Sequence, residues 1–269
     1  MKKILLFVNP LKGAERAREI TQEMERRGVE TSVFAGEKIG IVDAAVSLGG
    51  DGTVLFAARS VSQLKVPIFP VNLGTLGFIA AIPPEEWRAV FDDFLNGRTI
   101  FSQRLMLDVR VQRGVETVFQ SFCLNDALIS ASVVAKMIRL NARVGGVSIG
   151  SYRSDGLIVA TPTGSTAYSV SAGGPILDPE MEAVVVNPIC PFTLSNRPIV
   201  LPSDDEITIE VEYEQRSGVF LTMDGQTTER LQDGDRIVIR RAKENALLAC
   251  QNGVKSAFYN ALRTKLAWK

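Results

Sequence analysis

The apolar run Ala44-Ala45-Val46-Ser47-Leu48 passes directly into Gly49-Gly50-Asp51-Gly52-Thr53 and then into Val54-Leu55-Phe56-Ala57-Ala58. An apolar run closed by glycines and followed by a second apolar run reads as a buried strand, a tight loop and the start of a helix. Glycine backbone can take φ > 0 or lie close to a ligand, and N–H groups at a helix start can converge on phosphate oxygens. Asp51 is then the side chain at the turn able to do chemistry. Thr53 is expected to cap the helix. A structural turn, with Asp51 merely accepting backbone hydrogen bonds, suits the same five residues.

The surrounding chain repeats this grammar. Ile4 to Val8 reads as a buried strand, and Ala17, Ile20 and Met24 make a helical stripe stopped by Gly28. Val29 to Phe34 reads as a second strand and Val42 to Leu48 as the third, which feeds the glycine turn. Val66 to Val71 follows as a fourth and opens into Asn72-Leu73-Gly74-Thr75-Leu76-Gly77-Phe78. Strand and helix in alternation imply a parallel sheet, whose carboxyl-edge loops lie together, so this second loop and the Asp51 turn are expected to share a crevice. Pro83-Pro84 is expected to start a helix with Trp87, Val90, Phe91, Phe94 and Leu95 on its core face, closed by Gly97.

From about Thr99 the pattern changes. Leu105 to Val111, Val118 to Ile129, Ile138 to Val144, Ile207 to Tyr213, Val219 to Met223 and Ile237 to Ile239 are β-type runs between Gly, Asp and Asn turns. The expected architecture is an α/β domain with a parallel sheet over residues 1–98 and a β-rich, antiparallel, sandwich-like domain over 99–251. A helix from Val254 to Leu266 returns to the first domain, within 252–269.

Two polar groupings stand out in the second domain. Asn125-Asp126 interrupts an apolar strand, and buried polar residues need partners, from a turn or from a ligand's hydroxyls. The string from Tyr152 through Arg153, Asp155, the apolar Leu157-Ile158-Val159-Ala160 and Thr161-Pro162-Thr163-Gly164-Ser165-Thr166-Ala167-Tyr168 to Ser169 joins a buried strand to a hydroxyl-rich turn and a helix carrying Ser171 and Ala172. Small side chains there suit a flat polar ligand such as adenosine, and Asp155 could accept from an exocyclic amine. A capped structural turn is the plainer reading.

Composition removes several classes of chemistry. The 269 residues include no histidine, which excludes Ser-His-Asp and Cys-His catalysis and leaves proton transfer to carboxylate, lysine, tyrosine or cofactor. Lys plus Arg and Asp plus Glu both number 30, with no long run of one sign, so no nucleic-acid or anionic-membrane partner is expected. Cys123, Cys190 and Cys250 are scattered and read as buried thiols in a reducing compartment. No stretch approaches the ~18 apolar residues of a membrane span, and the short run after Lys2-Lys3 stops at Asn9-Pro10, so a soluble cytoplasmic protein is expected. The chain has no Gly-x-x-x-x-Gly-Lys-Ser/Thr loop, and Gly50-Asp51-Gly52 lacks the third glycine of the dinucleotide fingerprint.

Three strings together, Gly49 to Thr53, Asn72 to Phe78 and Asp155 to Tyr168, resemble the NAD kinases, and the resemblance runs from the first strand through Asp224-Gly225-Gln226. The first string alone is shared with lipid kinases; the third is the distinctive one. The resemblance implies an α/β domain and a β-rich domain with the active site between them. The implied reaction is transfer of a phosphoryl group from ATP or polyphosphate, with Mg²⁺, to the 2′-hydroxyl of the adenosine ribose of NAD. By the same resemblance Asp51 is the general base, Gly50 and Gly52 approach phosphate, and Phe78 closes on the nucleotide. Asn125 and Asp126 hold ribose. Asp155, Thr166 and Ala167 frame adenine, Tyr168 and Ser171 lie toward the rest of the dinucleotide, and Thr163, Arg153 and Gln226 are further ligand-proximal positions. A homotetramer or dimer is implied too. Two positions depart from the family pattern: Asp126 stands where members usually carry Glu, and Phe192, expected to be a packing change, where they commonly carry His. A lipid kinase or a non-catalytic pyridine-nucleotide-binding regulator are the competing readings.

Overall fold

In this computed structural model, which describes residues 2–74, 77–133, 136–193, 195–250 and 253–265, the chain forms two units, Met1–Arg104 with Glu244–Lys269, and Leu105–Lys243. Thr75 and Leu76 of the second glycine loop, and Leu266 of the last helix, lie outside the described residues.

The first unit is built on four parallel strands, β1 (Lys3–Val8), β2 (Glu30–Val33), β3 (Ala44–Gly49) and β4 (Ile68–Asn72), in the order β2-β1-β3-β4. Its helices α1 (Ala14–Arg26), α2 (Asp51–Val61) and α3 (Trp87–Leu95) cover both faces. Ala17, Ile20 and Met24 of α1 pack with Trp87, Val90 and Phe91 of α3 against Ile4, Leu6, Ala44, Val46 and Leu48. Period-two alternation turns Leu5, Phe7 and Ala45 the other way, where Phe7 meets Phe56 of α2 edge to face, ring centroids 5.7 Å apart. Gly28 and Gly97 stop α1 and α3 with φ near 70°. Pro83-Pro84 does not start α3: residues 84–86 form a turn, and the helix begins at Trp87.

The unit boundaries differ from 98/99 and 251/252. Ile100–Arg104 (β5) and Ala246–Cys250, the chain's last strand (β18), pair with each other antiparallel, and β18 joins β4, so both extend the first sheet. Neither segment has a flanking glycine-rich turn to separate it in sequence. The last helix, α5 (Val254–Lys265), belongs to the same unit and buries Phe258, Ala261 and Leu262.

The second unit contains β6 (Leu107–Arg113), β7 (Glu116–Cys123), β8 (Asp126–Ala131), β9 (Ile138–Val144), β10 (Val147–Ser154), β11 (Gly156–Ala160), β12 (Ala183–Ile189), β13 (Ile199–Pro202), β14 (Ile207–Val211), β15 (Val219–Met223), β16 (Thr227–Leu231) and β17 (Arg236–Arg241). They form two antiparallel sheets, β10-β9-β14-β17-β6-β7 and β13-β12-β11-β8-β15-β16. Strand β9 shows the logic: Ile138, Leu140 and Ala142 point into the shared core while Arg139, Asn141 and Arg143 point to water. Ile129, Leu157, Val159, Leu221 and Met223 enter that core from the facing sheet. β11 is buried on both faces, because Ile158 and Ala160 pack on its far side with Leu177, Ala183 and Val185. That double burial explains its unbroken apolar run.

The run Val118 to Ile129 is two strands, not one. It breaks at Leu124-Asn125, so Asn125 precedes β8 and Asp126 opens it. Cysteine burial also differs from expectation: Cys123 is buried, Cys250 half-buried and Cys190 exposed.

Ile129, fully buried at the middle of β8, is the residue whose truncation should most directly loosen the strand that Asp126 opens. Ile129→Ala is expected to cost about 2–5 kcal/mol, the range for deleting a buried aliphatic side chain, read as a lower urea midpoint by circular dichroism.

Candidate active site

In the first unit, three loops gather at the carboxyl edge of the parallel strands. Order β2-β1-β3-β4 means that the chain leaves β1 toward one side and β3 toward the other, and the crevice at such a reversal is where open α/β sheets take their ligands. The loop after β1 is tied to β3 by Asn9 N–H to Leu48 O (2.8 Å), and the loop after β4 by Leu73 N–H to Gly49 O (2.8 Å). Asn72 Oδ1 accepts Gly74 N–H at 2.8 Å and tightens that last turn.

Asp51 is the first residue of α2, with Gly50 as its N-cap. Its carboxylate collects three consecutive amides of the loop after β4: Oδ2 accepts Phe78 N–H (2.9 Å), and Oδ1 accepts Ile79 N–H (3.2 Å) and Ala80 N–H (2.8 Å). A carboxylate has about four lone-pair sites, so one on Oδ2 stays available to a further donor. The helix start adds a favourable dipole for the negative charge. The two loops therefore meet, as expected, and what joins them is the Asp51 side chain itself.

The turn's glycines do not owe their place to special dihedrals: a Cβ at Gly49 would meet Thr53, while Gly50 has open space beside it. Gly49, Gly50 and Gly52 are absent from the left-handed region, and Gly50 is extended at φ −105°. At Gly77 a Cβ would land inside the Asp51 carboxylate, so only glycine lets the loop approach. Thr53 does not cap α2; it lies within the first turn, its Oγ1 against Gly49. Phe78 carries the Lys265 ammonium 4.9 Å above its ring, which links the loop to α5.

In the second unit, Asn125, Asp126 and the turn after β11 come together. Thr161 N–H donates to Asn125 O (2.8 Å) and its Oγ1–H to Leu124 O (2.5 Å). Gly164 presses so closely on Asn125 that a Cβ there would overlap its carbonyl. Asn125 Oδ1 and Thr163 Oγ1 are buried without a protein partner. Asp126 is 6% exposed. Orphaned buried polar atoms in one place are what a ligand's hydroxyl and amine groups would satisfy. Burial, aided by the nearby Asp224 charge, pushes the Asp126 carboxyl up to about 7. Between about pH 4 and pH 7 the folded chain keeps a proton that the unfolded chain has lost, so this group's contribution to stability declines as pH rises through that window.

The hydroxyl-rich turn is shorter than expected: one 3-10 turn, Gly164–Thr166, and one α turn, Tyr168–Ser171 (α4), ended by Gly173 at φ 82°. Thr166 Oγ1–H donates to Thr163 O at 3.2 Å, Ala167 is half-buried, and Tyr168 and Ser171 are exposed beside it. Asp155 is not brought to this group. It precedes β11 while Thr161 follows it, and Gly156 pairs with Ser130 whereas Ala160 pairs with Asp126, so about 20 Å of extended strand separates them. Arg153 lies at the Asp155 end, its guanidinium 4.5 Å over Phe192. Phe192 is therefore an exposed stacking platform and not the packing change expected; Leu194 of the same segment lies outside the described residues. Gln226 is exposed in the turn between β15 and β16.

The same turn holds a residue that sequence reasoning passed over. Asp224 is buried, and its carboxylate accepts the N–H groups of Leu124, Asn125 and Asp126. The signal was an Asp-Gly pair between two β runs, a hairpin mark, but nothing local says that the carboxylate reaches another strand.

The ATP-NAD kinase N-terminal domain family matches residues 7–99, and the ATP-NAD kinase C-terminal domain family matches residues 124–250. A Treponema denticola protein named NAD kinase is 41% identical over 280 residues, covering 100% of this chain and 97% of that protein. The Geobacter sulfurreducens NAD kinase is 39% identical over 284 residues, covering 100% and 99%. Among solved structures, an Archaeoglobus fulgidus NAD kinase in complex with ATP is 27% identical with TM-score 0.79 over the whole of both chains. Yeast NADH kinase complexed with NADH shares the fold at TM-score 0.90 and 23% identity, over 100% of this chain and 88% of that one.

Gly77→Ala should force the loop off Asp51. The expected result is at least tenfold faster hydrogen exchange at the amides of residues 78–80, since three bonds to a charged acceptor, each worth about 1.5–3 kcal/mol, are broken or stretched; unchanged protection would refute the clamp.

Proposed function

The chain belongs to the NAD kinase family, and we propose that it transfers a phosphoryl group from ATP or polyphosphate to the 2′-hydroxyl of the adenosine ribose of NAD, giving NADP, with Asp51 receiving the hydroxyl proton. The observation that carries the role of Asp51 is its fixed carboxylate: three bonds hold it, and one acceptor site is left. A ribose hydroxyl is a weak nucleophile. In a loose phosphoryl-transfer transition state it needs direction more than early deprotonation, and a carboxylate that cannot rotate supplies direction before it takes the proton.

The second unit supplies the recognition. Asn125 Oδ1 and Thr163 Oγ1 are among the buried atoms without a partner among the described residues, and with the buried Asp126 carboxyl beside them they suit ribose hydroxyls and the edge of an adenine. Thr166, Ala167, Tyr168 and Ser171 border the same turn. Asp155 and Arg153 stand at the other end of β11 from that group, so ligand contact by them is a separate part of the proposal, whereas Gln226 lies two residues beyond Asp224 in the turn that holds Asn125 and Asp126.

Among the described residues no three Asp, Glu or Cys side chains gather to ligate a metal. In the proposed reaction Mg²⁺ is carried mainly on the donor's phosphate oxygens, where it would neutralise charge on the transferred group. The protein's share is then backbone donors around Gly50 and Gly52, together with Asp51.

Purified protein given Mg²⁺, NAD and either ATP or polyphosphate should form NADP, detected with an NADP-specific dehydrogenase; no product with either donor overturns the reading. Asp51→Asn is expected to lower NADP formation by about 10²–10⁴-fold. The asparagine amide also meets an amide N–H that needs an acceptor, so the loop should loosen as well. NAD affinity, which the proposal assigns to second-unit residues, should change less than tenfold, and an equal loss of affinity and turnover would give Asp51 a binding role instead.

A further inference from the structure

Asp224 opens the turn between β15 and β16 in the left-handed region, at φ 52°, followed by Gly225 at 64°. Aspartate tolerates that conformation better than most side chains. Its carboxylate reaches residues some hundred positions earlier. Oδ2 accepts Leu124 N–H (3.0 Å), and Oδ1 accepts Asn125 N–H (2.7 Å) and Asp126 N–H (3.2 Å). The Asp224 N–H in turn donates to Asp126 O at 3.0 Å. Three successive amides on one carboxylate wrap the chain around it, and this wrap sets where the side chains of Asn125 and Asp126 point.

Its charge matters as much as its hydrogen bonds. The strands that flank β8 are β11 and β15, and neither they nor the turn 161–166 contain an Asp, Glu, Lys or Arg. Among the described residues, Asp224 is therefore the charged group that the Asp126 carboxyl faces from the elements packed around it. A buried carboxyl beside a like charge, with no cation near, favours its neutral form. In that form it can donate a hydrogen bond as well as accept one.

We propose that Asp224 is the positioning residue for recognition of the adenosine ribose: through three amides it fixes Asn125 and Asp126, and through its charge it keeps Asp126 a hydrogen-bond donor. The inference rests on the NAD kinase reading for the identity of the ligand. It adds that NAD binding weakens as Asp126 loses its proton.

The test is NAD affinity by calorimetry between pH 5.5 and 8.5, which needs no turnover. With Asp126 titrating at about 7 and only its neutral form binding well, the dissociation constant should rise about tenfold from pH 6 to pH 8. Asp224→Asn keeps the left-handed backbone but puts an amide donor against one of the three N–H groups and removes the charge. Affinity at pH 6 should drop about tenfold or more, and the weakening should begin at lower pH, since Asp126 then ionises more readily. A merely structural Asp224 would lower the melting temperature and leave the position of the pH inflection alone, which would overturn the proposal. Asp126→Asn leaves the wrap intact and should flatten the pH dependence, so it decides the question if Asp224→Asn does not fold; a weakening that persists in Asp126→Asn refutes the proposal. Failure to form NADP with normal pH-dependent NAD binding would sink the kinase reading and spare this one.

Discussion

A carboxylate that accepts several successive backbone N–H groups is the interaction on which both candidate sites depend. Loops that leave the end of a strand carry amides with no ladder partner, and a buried unpaired amide costs about 1–3 kcal/mol. Asp51 satisfies those of residues 78–80, and Asp224 those of residues 124–126. In each case a charged acceptor joins segments that the sheet alone would leave independent. In the first unit the clamped loop follows β4 and the clamp begins α2. In the second, the clamped turn precedes β8 and the clamp follows β15, the strand beside it. Each device spends hydrogen bonds on geometry, and beside the two clamps one lone pair on Asp51, Asn125 Oδ1 and Thr163 Oγ1 have no partner among the described residues.

The glycines follow from these clamps. Gly77 is needed because the Asp51 carboxylate occupies the space of a Cβ, and Gly164 because the Asn125 carbonyl does the same. Neither has φ in the left-handed region. Their role is therefore steric, and replacing either pushes apart two backbones that a charged or polar group has drawn together. This also accounts for the run Gly49-Gly50: Gly49 is closed over by Thr53, whereas Gly50 has open space beside it, so the same residue type packs at one position and gives access at the next.

Sequence made the local elements legible wherever one face was apolar and the period clean. The stripe Ala17, Ile20, Met24 is the buried face of α1, β9 and β15 fall on the expected residues, and the change of grammar near Thr99 marks the passage from a parallel sheet to antiparallel ones. Strands without a clean alternation are absent from the expected runs: β10 carries Gly150 and alternates little, β16 alternates mostly between half-buried and exposed side chains, and β12 is buried along nearly its whole length. The candidate site was legible as a set of strings but not as a geometry. Asp155 and Thr166 are eleven positions apart in one recognisable string, yet a strand run through its middle puts them at opposite ends. The reach of the Asp224 carboxylate is not legible for the converse reason, since its partners are 98 to 100 residues away. Periodicity reports what a residue does within its own element, and neither distance leaves a trace in it.

A chain without histidine has no side chain that titrates near neutrality unless its surroundings make one. Asp126 is that group here: removal from water raises its carboxyl, and the charge of Asp224 raises it further. The family resemblance implies that a histidine is common at the position of Phe192, whose ring here lies under the Arg153 guanidinium. A protonated imidazole there would repel the arginine, whereas the face of a phenyl ring attracts it at every pH. The substitution removes one source of pH dependence from the Arg153 end of β11, and the buried acid supplies another at the Asp126 end. Under the proposed reading, a change of one proton at the buried polar cluster alters what hydrogen bonds a sugar can make there, while the contact of Arg153 with the Phe192 ring involves no group that titrates near neutrality.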